Sequence, residues 1–180
     1  MLRKLYLVSI ILLISLIGFI ITSTKSNYEK INTSSIVRIS DKPKVLPIAR
    51  VIIKDIGVDE GLYDPKSSLN SVDKNVTILE KSILPDNQNS IIFLAAHSGE
   101  GSIAYFNDLD KLEIGQEIII QYKKYNYYYL IDKIFEEEKD GDIEINKTSN
   151  QQLVLTTCSK TNYKKQLIIN SNLIKKEEIT

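Results

Sequence analysis

The chain has 180 residues, of which 43% are hydrophobic and 26% charged, and its 23 basic residues balance its 23 acidic ones. These proportions are typical of a folded domain and exclude disorder as the default state. The balanced charge gives no electrostatic footprint for nucleic acid. A single Cys and a single His exclude an internal disulfide and a Cys-based structural zinc site.

The N-terminus predicts a membrane anchor. Residues 5–21 form an almost unbroken apolar run, preceded by Arg3 and Lys4. A helix of roughly 20 apolar residues spans a bilayer core, and the positive-inside rule places the basic end in the cytoplasm. We therefore predict a cytoplasmic tip and transmembrane signal-anchor over residues 1–22, in a single-pass protein of the cell membrane. The alternative is a cleaved signal peptide, but no Ala-x-Ala site follows the run.

The anchor is followed by a polar segment. Residues 23–47 are rich in Ser, Lys and Asn and contain Pro43 and Pro47. This composition predicts an extracellular stalk, and it leaves residues 48–180 as the folded extracellular domain.

From residue 48 onward the apolar signals are short and rich in β-branched residues. Turn residues such as Pro65, Pro85 and Gly115 separate them. We predict strands over residues 48–54, 76–80, 90–96, 117–122, 127–135, 152–157 and 166–169. This spacing indicates an all-β barrel or sandwich. One short helix is predicted after Ser102, with Ile103, Phe106 and Leu109 on one face.

An acidic run at residues 136–138 precedes the turn Asp140-Gly141-Asp142. A calcium site is one interpretation, because hard cations require several oxygen ligands. The spacing does not match an EF-hand, so we favour a solvated loop.

The two residues suited to nucleophilic catalysis each follow an apolar strand. Residues 153–157 lead into Cys158, and residues 91–96 lead into His97. A free thiol is mostly protonated at neutral pH, so it needs a partner to become a nucleophile. A neighbouring imidazolium stabilises the thiolate and can donate its proton to a leaving amine. We therefore predict that Cys158 and His97 meet in space. The non-catalytic alternatives are a buried inert thiol and a solvated histidine.

These residues resemble motifs of the sortase family. The stretch Val154-Leu-Thr-Thr-Cys158 resembles the Thr-Leu-x-Thr-Cys signature, and Ala96-His97-Ser98-Gly99 resembles the Gly-His motif. Residues 49–58 look like the first barrel strand and its Ile-Gly-Val turn, and residues 105–112 look like the short helix after the His. The likeness covers about residues 48–174 in the family's order.

The resemblance implies an eight-stranded β-barrel with one or two short helices. It also implies a transpeptidase in which Cys158 forms a thioacyl intermediate and His97 is the general acid and base. The substrates would be an LPXTG-like sorting signal on a surface protein and an amine of a peptidoglycan precursor, with no metal or organic cofactor. Pilin-polymerising sortases usually carry a C-terminal membrane span and an Asp-Pro-aromatic lid. Neither is found in this sequence, so we expect the non-pilin type with a single N-terminal anchor.

One family feature is missing. Sortases place an Arg on the strand after the Cys, where it binds substrate and stabilises the oxyanion. Every Arg of this chain precedes Cys158. The alignment puts Gln166 in the Arg position, with Lys164 and Lys165 just before it. An amide can donate to an oxyanion without supplying charge, and strand alternation points Lys165 to the opposite face.

Two other functions fit the same residues. One is an exported cysteine peptidase, which hydrolyses the acyl intermediate instead of transferring it. The other is a catalytically degenerate, tethered sortase-like domain that only binds, for which the missing Arg is the main argument.

Overall fold

The structure is a computed structural model that describes residues 45–139 and 151–179. The predicted anchor, most of the predicted stalk and the Asp140-Gly141-Asp142 turn lie outside the described residues. Within the described part of the chain, no helix is long and apolar enough to cross a membrane. The described residues all belong to one compact unit, Val45–Thr180.

The described residues form one eight-stranded sheet that curls into a nearly closed barrel. The strands are β1 (Ala49–Ile53), β2 (Val58–Leu62), β3 (Thr77–Ile78), β4 (Ile91–Ala95), β5 (Glu117–Tyr122), β6 (Tyr125–Glu138), β7 (Gln152–Cys158) and β8 (Lys165–Glu178). Their order is β2-β1-β5-β6-β8-β7-β4-β3. Neighbouring strands are antiparallel, except that β4 and β7 run parallel. The all-β, eight-stranded prediction is therefore confirmed.

The barrel interior is filled by one alternate set of side chains on each strand. On β4, Ile92 and Leu94 are buried in this core, and on β7 Leu153 and Leu155 occupy the same layer. Alternation follows from the period of two along a strand, because successive side chains point to opposite faces. Residues between these positions therefore lie on the outer face of the barrel.

Each predicted strand overlaps an observed one, but β2 was missed. Its sequence, Val58-Asp-Glu-Gly-Leu62, is polar at the centre and carries no apolar run. The strand forms because Gly57, with φ +68°, ends a short 3-10 helix (Lys54–Ile56) and turns the chain back onto β1. Glycine adopts this left-handed conformation without the steric cost a side chain would add.

Strands β6 and β8 are longer than predicted, at 14 residues each. The charged C-terminal half of β8 pairs with β6 through the backbone, and backbone pairing does not require apolar side chains. The acidic run at residues 136–138 is the end of β6, so the solvated-loop interpretation of these residues is wrong.

The predicted short helix after Ser102 is present only as tight turns that end in a 3-10 helix. Residues 101–111 form successive tight turns, and the only helical element there is a 3-10 helix, Leu109–Lys111. The Phe106 amide donates to the His97 carbonyl at 3.1 Å, which diverts it from an α-helical partner. Phe106 and Leu109 are buried as expected, whereas Ile103 is exposed.

Candidate active site

The parallel pair of β4 and β7 brings the sole His and the sole Cys together. Their register places Ala95 beside Thr156, and continuing it by two residues places His97 beside Cys158. Neighbouring strands lie about 4.8 Å apart, and side chains at matching positions project from the same face. That face is the outer one, because Leu155 in the alternate set points into the core. The Cys158 thiol is exposed there.

Two further side chains extend this row across the sheet. On β8, Gln166 lies directly opposite Cys158. On β6, Glu137 lies directly opposite Gln166. We call His97, Cys158, Gln166 and Glu137 the outer-face row. Residues that pair directly across antiparallel strands share a face, so all four project outward from adjacent strands.

The Gln166 side chain is oriented by a neighbour on its own face. The Thr156 hydroxyl donates to Gln166 Oε1 at 3.1 Å. Because this bond uses the amide oxygen, the amide N–H₂ group is the part of the side chain that can donate to a substrate. The side chain of Lys165 belongs to the opposite face, since its register partner is Glu138.

The outer-face row contains an acid, Glu137, from the acidic run at residues 136–138, and nothing in the sequence pattern placed it beside Gln166. One carboxylate oxygen of Glu137, Oε2, is buried and has no hydrogen-bond partner in the described structure. Its neighbour Glu136 projects to the other face, where it accepts hydrogen bonds from the Ser159 and Thr161 hydroxyls at 2.6 and 3.2 Å. Glu136 therefore secures the loop that follows Cys158.

A second acid, Asp73, approaches His97 from the β2–β3 connection. Asp73 Oδ1 lies 3.4 Å from His97 Nε2, and both side chains are largely solvent-accessible. Within the described ranges, the thiol of Cys158 and the His97 ring make no hydrogen bond with each other. Asp73 precedes His97 by 24 residues and belongs to no motif, so no sequence signal identified it.

The described residues offer no candidate metal centre, since no group of three or more His, Cys, Asp or Glu side chains converges within them. The predicted calcium alternative also involves Asp140 and Asp142, which lie outside the described residues. A small cavity of about 50 Å³ lies next to Cys158, between Ser98, Asn107 and Lys160. Lys160 is held there by Asp110, with 2.9 Å between Nζ and Oδ1.

The barrel and the site define a class of all-β protein in which a thiol and an imidazole lie at the ends of two adjacent parallel strands. The sortase domain profile matches residues 51–174, and the chain therefore belongs to the sortase family. Family and fold together indicate a cysteine transpeptidase. Comparison with curated protein sequences gives no match.

Solved structures agree with this assignment. Sortase A of Listeria monocytogenes superposes with a TM-score of 0.64 at 17% identity, covering 76% of this chain and 92% of that one. Sortase C1 of Streptococcus agalactiae gives 0.64 at 25% identity, covering 74% and 70%. Sortase C-1 of Actinomyces oris gives 0.64 at 18% identity, covering 80% and 81%. Sortases of types A and C superpose equally well, so the fold does not distinguish between these two types.

Proposed function

We propose that this protein is a sortase-type transpeptidase that joins surface proteins to the cell wall. Its substrates would be an LPXTG-like sorting signal and an amino group of a peptidoglycan precursor. The observation that carries the proposal is the β4–β7 register, which, continued two residues beyond Ala95 and Thr156, aligns the only imidazole with the only thiol on one accessible face.

The reaction proposed has two balanced steps. In the first, the Cys158 thiolate attacks the Thr carbonyl carbon of the signal, and the Thr–Gly C–N bond breaks as His97 gives its proton to the departing amine. In the second, the acceptor amine attacks the thioester carbonyl, the C–S bond breaks, and His97 takes the proton that the amine loses. Neither step requires a metal or an organic cofactor.

The oxyanion formed in each step needs a donor near Cys158. Gln166 supports this role because it is the direct cross-strand neighbour of Cys158 and its amide oxygen is engaged by Thr156. No Arg is present at this position, so the proposed stabilisation rests on a neutral hydrogen bond. The row carries Glu137 in addition, and the site is consequently less cationic than the family pattern implies.

We further propose that the barrel is extracellular and tethered by residues 1–22, as the apolar run and Arg3-Lys4 predict. No Asp-Pro-aromatic lid motif precedes the barrel, which favours surface-protein anchoring over pilus assembly.

The proposal is tested with the full chain purified in detergent, a peptide carrying an LPXTG signal, and triglycine as the amine. Mass spectrometry should show the acyl fragment joined to triglycine, and Cys158→Ala should abolish it. Hydrolysis that triglycine does not divert would support the peptidase alternative. Undiminished cleavage by Cys158→Ala would end the proposal.

The degenerate binding domain is distinguished by thiol reactivity. An activated thiolate reacts with iodoacetamide at mildly acidic pH, whereas an inert thiol does not. We expect alkylation of Cys158, and we expect His97→Ala to slow it. A chain that binds the peptide but resists alkylation and cleavage would be a binding domain.

A further inference from the structure

The β4–β7 backbone ladder weakens just before the catalytic pair. Its last regular pairing is Ala95 with Thr156, and the next bond, from the Ala96 amide to the Thr156 carbonyl, is 3.4 Å long. Ordinary N–H···O bonds measure about 2.9–3.0 Å. His97 and Cys158 come from distant parts of the chain. Backbone hydrogen bonds alone therefore hold these two residues together only weakly.

Two side-chain hydrogen bonds continue the connection where the ladder stops. The Thr157 hydroxyl donates to the Ala96 carbonyl at 2.8 Å. The Ser98 hydroxyl donates to the Cys158 carbonyl, also at 2.8 Å. One bond runs from β7 to Ala96, just after β4, and the other runs back from Ser98 to the end of β7. The two bonds therefore form a reciprocal clamp on either side of the His97–Cys158 pair.

We propose that Ser98 and Thr157 are positioning residues, which hold the imidazole and the thiol in the register that catalysis requires. Neither hydroxyl is assigned a chemical step. This inference rests on the proposed function for its catalytic consequence, but the clamp itself is a property of the two strand ends. Small errors in the alignment of reacting groups are costly, since a displacement of about 1 Å can slow an enzyme about 10²-fold.

The two hydroxyls differ in their surroundings. The Thr157 bond is buried, so its removal leaves the Ala96 carbonyl without a partner in the interior. The Ser98 bond is accessible, and water can replace the hydroxyl there. Thr157→Val should therefore have the larger effect, and the double variant with Ser98→Ala should have the largest.

A matched control variant distinguishes a positioning role of Ser98 and Thr157 from a purely structural one. Ser90, which is buried, donates its hydroxyl to the Ile83 carbonyl at 2.7 Å, and it precedes β4 at the end remote from His97. Ser90→Ala removes the same type of bond away from the site. It should lower Tm without changing kcat, whereas Thr157→Val with Ser98→Ala should lower kcat about 10- to 100-fold. KM for the peptide should stay within about twofold because neither hydroxyl is assigned a contact with the peptide.

Conservative variants provide the rescue. Thr157→Ser and Ser98→Thr keep the hydroxyls and should restore most of kcat. The proposal is overturned if the double variant keeps the wild-type kcat. It is also overturned if the double variant and Ser90→Ala lower Tm equally and lose the same amount of activity.

A second arm does not depend on catalysis. Cα atoms on neighbouring strands lie within the 4.4–6.8 Å that a disulfide spans, so His97→Cys should allow a disulfide to Cys158 in glutathione buffer. Adding Thr157→Val and Ser98→Ala should lower the equilibrium constant for its closure, and adding Ser90→Ala should not. Equal closure in all three backgrounds would overturn the clamp. A wild-type chain that cleaves no peptide would refute the proposed function, while this arm would still decide the clamp.

Discussion

At the residue scale, the proposed chemistry depends on Cys158, His97 and Gln166. Cys158 has Gln166 on one side and His97 on the other, so the thiol lies between a neutral amide and a titratable ring. Asp73 approaches the ring from solvent at 3.4 Å. Exposed ion pairs of this type contribute about 0.2–1 kcal/mol, so Asp73 is not expected to dominate the activity.

The position of Gln166 beside Cys158 predicts separate effects of losing its amide hydrogen-bond donor and of adding a charge there. Gln166→Glu keeps an acceptor for the Thr156 hydroxyl but removes the amide donor and adds a negative charge beside the oxyanion. We expect kcat to fall about 10²–10³-fold, the loss seen when an oxyanion-hole donor is removed. Gln166→Met separates the two effects, because it removes the donor without adding charge. Wild-type transpeptidation by Gln166→Met would show that Gln166 only lines the barrel wall.

At the element scale, the connections between strands are secured by charged contacts far from the site. Lys123, in the β5–β6 turn, contacts Asp86 in the β3–β4 connection at 2.6 Å. The Lys123 hydrogen bond lowers the pKa of Asp86 below its ordinary value. Lys175 acts in the same way on Glu177 and lowers the pKa of that carboxyl in β8.

The depressed pKa of Asp86 predicts how stability depends on pH. Its contribution is fully present above the unfolded-state pKa of about 3.9 and is lost as pH falls through the lower folded-state value. Asp86→Asn should therefore flatten the decline in the free energy of unfolding below about pH 4, as measured by urea denaturation. Lys123→Gln should act similarly, and Glu177 should account for part of the remaining slope. An unchanged slope in both variants would contradict the pairing.

At the scale of the whole molecule, a barrel with a covered core presents the thiol of Cys158 on its outer face. Aliphatic and aromatic side chains fill the core of the described residues. The proposed cell-wall function would also require the enzyme to be held at the cell surface, and the apolar run at residues 5–21 is the feature that predicts such an anchor.

The anchor is tested by fractionation. The full chain should remain with the membrane after a high-salt wash and be released only by detergent, because a helix of about 20 apolar residues is stable in a bilayer. Its intact mass should include residues 1–22. A secreted chain shortened by the N-terminal segment would instead identify a cleaved signal peptide.

The sequence by itself determined the all-β class and both candidate catalytic residues. Short β-branched runs identified seven strands, and the Thr-Thr-Cys158 and Ala-His97 endings carried the family resemblance. The period of two along a strand is a local property, and so is a motif; neither requires knowledge of distant contacts.

Only the tertiary structure decided what stands beside each residue. The parallel register of β4 and β7, the cross-strand position of Glu137, the approach of Asp73 and the Ser98–Thr157 clamp all join residues far apart in the chain. Strand β2 and the tight turns after Ser102 belong to this group as well, because backbone hydrogen bonds to other segments override their local propensity. Pairing between strands depends on backbone groups that every residue shares, and so the side-chain pattern does not specify it.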